Sequence, residues 1–284
     1  MNNYYEQLME FKGAQELGEI VKKWDILSEN INKRAFDAPI VLPDLFMYTK
    51  PGCGNTELLT ILAEYLDSKK NLMTFYGDVK FFEFKLEYCK PDNEFSELYR
   101  LIDCVNSAAG FRNEYKGIMR INVDDWVGHH KEKHFTDFLQ FLQINTAYWF
   151  VILSISNSGE TEKTKEMESL VSMYLRIQKV TIHHPTNDEF IEHACEQFAK
   201  YGLTLEDSGK QILKESIELL RKNKYFYGLN TVTDMCNDIV YTLFSQTTNV
   251  NNVITGDMLG EFSSDSDYIK RTIIKTKTKT IIGF

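Results

Sequence analysis

Short apolar runs alternate with amphipathic stretches through the first two thirds of the chain. The amphipathic stretches repeat apolar residues three and four positions apart, as one face of a helix does, and the apolar runs have the length of strands. The predicted strands are 39–49, 81–88, 116–126, 148–157 and 178–185, and the predicted helices are 13–27, 56–69, 95–110, 134–145 and 166–177. Strands that alternate with helices form parallel sheets covered by helices. The pattern therefore predicts an α/β fold with a parallel five-stranded sheet and flanking helices.

The pattern changes after Pro185, where helical spacing continues without intervening strands. Thr186 and Glu189 have the spacing of a capping box and precede the first of three amphipathic stretches. The last residues alternate lysine and threonine between isoleucines, as a strand with one solvated face does. We predict an α/β domain at 1–185, a small all-helical subdomain at 186–248, and a C-terminal tail with a strand at 249–284.

A glycine-rich turn, TKPGCGNT at residues 49–56, connects the first predicted strand to the helix after it. Such a turn can hold a phosphate, because backbone N–H groups and the helix dipole point at it. Gly52, Gly54 and Thr56 have the spacing of a phosphate-binding loop, in which the threonine hydroxyl binds Mg²⁺. The lysine of that pattern is replaced by Asn55. Taken alone, the turn fits both a phosphate cradle and an ordinary tight loop.

Polar residues also follow two later predicted strands. Asp124 and Asp125 end the strand GIMRINVDDW, and Asn157 ends the strand YWFVILSISN. Ligands of parallel sheets bind beyond the carboxyl ends of the strands, so we expect these side chains beside the glycine-rich turn. The first acid can hold Mg²⁺, and the second can orient the attacking water in phosphoryl transfer. By themselves the acids also fit a solvated turn, and Asn157 fits a turn residue.

The order and spacing of these features resemble the AAA+ ATPases over essentially the whole chain. The segment from residue 183 to 240, with its strand-ending proline and capped helix, is similar to the lid of one AAA+ group. That group contains the red-type Rubisco activases and the sporulation stage V protein K family. The resemblance implies a P-loop AAA+ sheet, ATP or ADP bound with Mg²⁺, and assembly with copies of itself or in a mixed ring with an active AAA+ subunit.

The resemblance also assigns a role to each matching position. The residues that it places at the nucleotide are Lys50, Gly52, Cys53, Gly54, Asn55 and Thr56 of the Walker A loop and Asn230 at the sensor 2 position. The Mg²⁺ ligands that it implies are Thr56 and Asp124. The catalytic positions are Asp125 in place of the catalytic glutamate, Asn157 as sensor 1, and Arg176 as the nearest match to the arginine finger.

Three of these positions depart from the family pattern together. Asn55 replaces the Walker A lysine, Asp125 replaces the glutamate, and Asn230 replaces the sensor 2 arginine. Two cations that bind phosphate are lost, and an arginine at the transition state can contribute ~10³–10⁵ in rate. The sequence therefore predicts a pseudo-ATPase that acts as an interaction or assembly module, constitutive or gated by weakly bound nucleotide. The alternative is an active protein-remodelling ATPase in which Lys50 folds back onto the phosphates.

Composition bears on the partners and the compartment. The 284 residues carry 41 acids against 32 lysines and arginines, a formal charge of −9, which argues against general nucleic-acid binding. We therefore expect a protein partner or client. The chain shows no signal-peptide pattern and no apolar run near the ~18 residues of a membrane span. Its five cysteines lack CxxC spacing. These features predict a cytoplasmic protein with no membrane partner and no zinc or redox cofactor.

Overall fold

The structure is a computed structural model that describes residues 3–34, 41–75, 81–88, 114–115, 117–145, 149–156, 159–223, 226–246 and 252–270. The chain divides into two compact units. The first unit comprises residues 1–50 and 55–183, and the second comprises residues 51–54 and 184–284.

The first unit alternates strands and helices as the hydrophobic pattern predicts. In chain order its described elements are α1 (Tyr4–Met9), α2 (Gln15–Arg34), β1 (Asp44–Tyr48), α3 (Asn55–Ser68), β2 (Thr74–Phe75), β3 (Phe81–Lys85), β4 (Glu114–Tyr115), β5 (Gly117–Asn122), a 3₁₀ turn (Asp124–Trp126), α4 (Lys133–Asn145), β6 (Trp149–Ile155), α5 (Glu162–Val171) and β7 (Ile177–Thr181). The predicted helix at 95–110 lies outside the described residues.

Five of these strands form one parallel sheet in the order β3-β5-β6-β1-β7. β5 pairs with β3 and β6 on its two sides, so that Ile118 lies opposite both Phe81 and Phe150. β1 likewise pairs with β6 and β7. Because all five strands run the same way, their carboxyl ends meet at one edge of the sheet. The predicted five-stranded parallel sheet is therefore confirmed.

Alternation along the strands sends successive side chains to opposite faces of the sheet. On one face, apolar residues of β1, β5 and β6 pack with α4 and α5 into a buried cluster. Its largest fully buried members are Trp126, Phe135, Phe138, Phe46 and Tyr48. On the other face, Trp24 of α2 packs edge-on against Phe150 of β6, with 5.8 Å between ring centroids. Burying each such side chain contributes about 1.5–3 kcal/mol, so these two layers fix the strands in place.

The second unit is mainly helical. Its described elements are α6 (Asn187–Ala199), β8 (Thr204–Leu205), α7 (Asp207–Leu220), α8 (Leu229–Gln246), β9 (Val253–Ile254) and a 3₁₀ segment (Asp257–Phe262). The capping box is confirmed: the Thr186 hydroxyl accepts from the Glu189 N–H at 3.2 Å, and the Glu189 carboxylate accepts from the Thr186 N–H at 2.6 Å. Phe190, Leu213 and Ile239, one from each helix, share one buried core.

Two details of the second unit differ from the sequence prediction. β8 and β9 form a short parallel pair that the helical pattern did not show, because two-residue strands are too short for periodicity. The final stretch of the tail, from residue 267 onwards, is the part that the sequence predicts as a strand. It begins instead with a helical turn over residues 267–270. Residues 271–284 lie outside the described part of the chain.

Two glycines of the second unit approach each other closely. Gly52 and Gly228 have φ angles of +79° and +54°, in the left-handed region that favours glycine. A Cβ atom on Gly228 would lie 2.2 Å from the Gly52 carbonyl oxygen. That same oxygen accepts a hydrogen bond from the Leu229 N–H at 3.0 Å. The contact therefore requires glycine at both positions.

Asp44, the first residue of β1, forms hydrogen bonds on both sides, to β6 and to the residue before β7. Its carboxylate accepts a hydrogen bond from the Val151 N–H of β6 at 2.8 Å, and its own N–H donates to the Arg176 carbonyl at 2.9 Å. Burial raises the pKa of Asp44 to about 7, although the Val151 N–H opposes that shift. The carboxyl group is therefore more easily protonated in the folded chain than in the unfolded one.

Substitution of Gly228 by alanine should destabilise the second unit by roughly 2–5 kcal/mol, because left-handed strain adds to a backbone collision. Gly202 provides the matched control: its φ is +71° and a Cβ there meets nothing within 4 Å. We expect Gly202→Ala to cost only about 1 kcal/mol. Denaturant unfolding of both variants measures the difference. Equal losses would show that the approach between Gly52 and Gly228 does not contribute.

Asp44→Asn should change how stability depends on pH. A carboxyl with a raised folded pKa contributes most stability below its unfolded pKa and loses that contribution as pH rises towards about 7. The wild type should therefore lose on the order of 2 kcal/mol relative to Asp44→Asn between about pH 5 and pH 8. Urea unfolding at both pH values tests this. Glu162→Gln, at an exposed position of α5, should leave the wild-type pH dependence unchanged.

Candidate functional site

The side chain of Asn55, which the sequence predicts at the Walker A lysine position, is hydrogen-bonded within its own turn. Asn55 is the first residue of α3, and its carboxamide oxygen accepts a hydrogen bond from the Thr49 hydroxyl at 2.7 Å. Its amide nitrogen lies 3.5 Å from the Lys50 carbonyl oxygen. Thr49 is buried and directly follows β1. The Asn55 side chain therefore closes the turn internally and brings no positive charge to it.

The middle of the glycine-rich turn belongs to the second unit. The Gly52 carbonyl is bound by the Leu229 N–H, and Cys53 is fully buried. Gly54 has a φ of +72°, as a tight turn at a helix start requires. Asn230, the sensor 2 position, is exposed in the first turn of α8, and its N–H donates to the Tyr227 carbonyl at 3.2 Å. The sequence placed the glycines correctly in a turn but did not reveal the contact with Gly228.

Asp124 is held by the ends of two neighbouring strands. One carboxylate oxygen accepts from the Ser156 N–H, just beyond β6, at 2.8 Å. The other accepts from the side-chain amide of Asn122, the last residue of β5, also at 2.8 Å. The Asn122 amide also donates to the Ser156 hydroxyl at 2.9 Å. These bonds make Asp124 a brace between β5 and β6.

Asp125 forms an ion pair that the sequence did not reveal. Its carboxylate lies 2.7 Å from the ammonium of Lys85, the last residue of β3. The hydrogen bond that the Lys85 ammonium donates to Asp125 raises the pKa of Lys85. Both side chains are partly exposed, so the pair contributes no more than about 1 kcal/mol. The carboxylate in the catalytic position is thus oriented towards a lysine.

A buried arginine lies in the middle of β5. Arg120 is directly opposite Glu83 of β3, and the guanidinium forms an ion pair with the Glu83 carboxylate. It also donates to the hydroxyls of Ser154 at 3.0 Å and Ser156 at 3.3 Å. The Thr56 hydroxyl donates to the other Glu83 oxygen at 3.4 Å. An arginine within the apolar stretch GIMRIN was the one signal of this cluster in the sequence.

The remaining predicted residues are not brought into this cluster by the described part of the chain. Asn157 lies outside the described residues. Arg176 precedes β7, at the edge where the strands begin, and its guanidinium donates to the Val41 carbonyl at 3.3 Å. Lys50 is exposed directly after Thr49. The arrangement therefore tests neither a sensor role for Asn157 nor a trans-acting role for Arg176.

The described ranges also bear on metal binding and on membrane insertion. No group of three or more histidine, cysteine, aspartate or glutamate side chains there is arranged to hold a metal ion. His129, the first histidine of VGHHKEKHF, instead contacts the Glu132 carboxylate at 2.8 Å and stacks on Tyr88. None of the described helices combines the length and the apolar character needed to cross a bilayer.

Known proteins resemble this chain in structure. No protein-family model matches it, and no curated protein matches its sequence. The RuvB Holliday junction branch migration motor of Thermotoga maritima matches with a TM-score of 0.52 and 13% identity, over 95% of this chain and 78% of that one. A substituted form of the same motor gives 0.55 at 13% identity, over 96% and 78%. At this identity the likeness shows the fold alone, and it confirms the predicted α/β fold with a parallel sheet and flanking helices.

Proposed function

We propose that this chain is an AAA+ P-loop protein that does not turn over ATP and serves as an assembly or protein-interaction module. Within the family, the resemblance of its lid favours the group of red-type Rubisco activases and sporulation stage V protein K. The proposed partners are copies of this chain, an active AAA+ subunit, or a protein client in the cytoplasm. The charge of −9 argues against a nucleic-acid partner, although the RuvB match is a motor acting on Holliday junctions.

The observation that carries this proposal is that the neutral side chain of Asn55 is hydrogen-bonded within the turn. A phosphate-binding loop needs a cation that reaches the outer phosphates. Here a neutral carboxamide takes that position and is already hydrogen-bonded to Thr49. Any ATP or ADP would therefore bind through backbone N–H groups alone, at weakened affinity. The polar, exposed Asn230 at the sensor 2 position removes a second phosphate contact in the same way.

The acid pair supports the same conclusion. Water activation in phosphoryl transfer depends on a carboxylate positioned at the attacking water. Asp125 is one carbon shorter than glutamate and points to Lys85. Asp124 is engaged by Ser156 and Asn122. Both acids with which an ATPase would act on Mg·ATP are thus bonded to other groups of the protein. This supports a role without turnover.

Calorimetry with Mg·ATP and a phosphate-release assay test the proposal. We expect weak binding or none in the wild type, and no phosphate release above buffer. Asn55→Lys should bind at least about tenfold more tightly, because a charged hydrogen bond contributes about 1.5–3 kcal/mol. Asn55→Ala is the control, since it removes the bond from Thr49 without adding charge. Tight binding with turnover in the wild type, lost in Lys50→Ala, would instead establish the active ATPase.

Lys85→Met should release Asp125 for catalysis where the missing cations are restored. In an Asn55→Lys/Asn230→Arg background we expect measurable phosphate release. Adding Lys85→Met should raise that rate by up to about fivefold, the factor that corresponds to a partly exposed ion pair of 1 kcal/mol. Lys131→Met is the control, because Lys131 forms an exposed ion pair with Glu166 at 2.8 Å. The same increase in both variants would exclude a specific effect of Lys85 on Asp125.

A further inference from the structure

The fold implies a Mg²⁺ ion between the Thr56 hydroxyl and Asp124, and the residues present do not fit that ion. Mg²⁺ requires oxygen ligands at about 2.1 Å in near-ideal octahedral geometry. Both oxygens of Asp124 accept hydrogen bonds from protein groups, the Ser156 N–H and the Asn122 amide, each at 2.8 Å. Each oxygen keeps a further lone pair, so these bonds orient Asp124 and do not by themselves exclude a cation. What opposes a cation is the positive charge nearby, because Arg120 donates to the hydroxyl of Ser156, the residue whose N–H binds Asp124.

The Thr56 hydroxyl is also committed elsewhere. It donates to Glu83 of β3 at 3.4 Å, so its nearest carboxylate is not the acid that follows β5. The second oxygen of Glu83 pairs with the guanidinium of Arg120. The cation that pairs with the carboxylate nearest to Thr56 is therefore an arginine side chain of the protein itself.

Arg120 has the burial and the contacts of a permanent site component. Only 5% of its side chain is exposed, and its nitrogens reach Glu83, Ser154 and Ser156. Burial lowers the pKa of Arg120, while the negative charges of Glu83 and Asp124 oppose that shift. A guanidinium stays protonated in proteins, so the charge is present whether or not a ligand is bound.

We propose that the Arg120 guanidinium replaces the divalent cation of this site: it neutralises the Glu83 carboxylate, to which the Thr56 hydroxyl donates, and its positive charge near Asp124 keeps Mg²⁺ from binding. The proposal rests on the proposed function only in so far as the AAA+ assignment locates the Mg²⁺ position. It goes further because it names the residue that makes the site independent of divalent cations.

A purely structural role for Arg120 makes a different prediction. If the guanidinium only braces β3 against β5, its removal weakens the fold and creates no affinity for metal. If it stands in for a cation, its removal leaves the Glu83 carboxylate, which accepts from the Thr56 hydroxyl, without its positive partner, and it takes away the positive charge near Asp124. Carboxylates and hydroxyls are the ligands that Mg²⁺ and Mn²⁺ prefer. A gain of metal binding on loss of Arg120 therefore distinguishes the two roles.

The test uses the full chain without nucleotide, and Mn²⁺ and Mg²⁺ as probes. Electron paramagnetic resonance should detect no bound Mn²⁺ in the wild type, and its Tm should be the same in EDTA and in millimolar Mg²⁺. Arg120→Met should bind one Mn²⁺, and millimolar Mg²⁺ should raise its Tm by about 3–8 °C. Arg120→Gln, whose carboxamide can still bond to serine hydroxyls, should show the same gain.

Two further variants serve as controls. Arg120→Met/Glu83→Gln should lose the gained Mn²⁺ site, because it removes one of the two carboxylates. Lys69→Met removes the ammonium that pairs with Asp25 in the same unit, and no metal site should appear. Mn²⁺ bound by the wild type overturns the proposal, and so do Arg120 variants that fold but bind no metal.

This outcome is separable from that of the proposed function, because no ATP is present. Mn²⁺ bound by the wild type would refute the internal cation and leave the prediction of absent phosphate release standing. A wild type that hydrolyses ATP yet binds no Mn²⁺ without nucleotide would refute the pseudo-ATPase and leave the Arg120 assignment standing.

Discussion

The ion pair between Arg120 and Glu83 is the interaction on which the strand-end cluster depends. A guanidinium in the middle of a central strand is stable only where partners satisfy it, since an uncompensated buried charge costs several kcal/mol. The parallel register supplies those partners by placing Glu83 of β3 directly opposite Arg120, while the Ser154 hydroxyl of β6 binds it from the other side. Three strands are therefore held in one register by a single charge, and the hydrogen bonds of Asn122 and Asp124 extend that network to the strand ends.

The glycine-rich turn satisfies its own groups in a comparable way. Within the first unit, Asn55 is bonded to Thr49. Within the second unit, the Gly52 carbonyl accepts from the Leu229 N–H, where only glycine leaves room at position 228. A phosphate cradle needs donors that are kept free for the ligand. In this chain the same spacing of glycines produces a turn that is stabilised by internal hydrogen bonds.

Much of the fold could be predicted from the sequence, because its signals are local. Helical spacing, apolar strands and the capping box at Thr186 each depend on residues close together in the chain, and the structure has most of the described elements near where they were expected. The helix predicted at 166–177 is an exception, because the structure has it at Glu162–Val171 and Ile177 begins β7. The site could be predicted only in part. Glu83 and Arg120 are 37 positions apart, and only the strand order β3-β5-β6 makes them neighbours. Likewise, the raised pKa of Asp44 follows from burial, which residue type and spacing do not reveal.

An internal cation also bears on whether nucleotide could control assembly. A ligand shifts an equilibrium only by the difference between its affinities for two states. In a site that loses and regains Mg·ATP, uncompensated carboxylates would make the empty state less stable than the loaded one. Here Glu83 is neutralised by Arg120 whether or not a ligand is present, and Asp125 is paired with Lys85. With both carboxylates paired in either case, the proposed internal cation favours constitutive assembly over nucleotide gating as the mode of action.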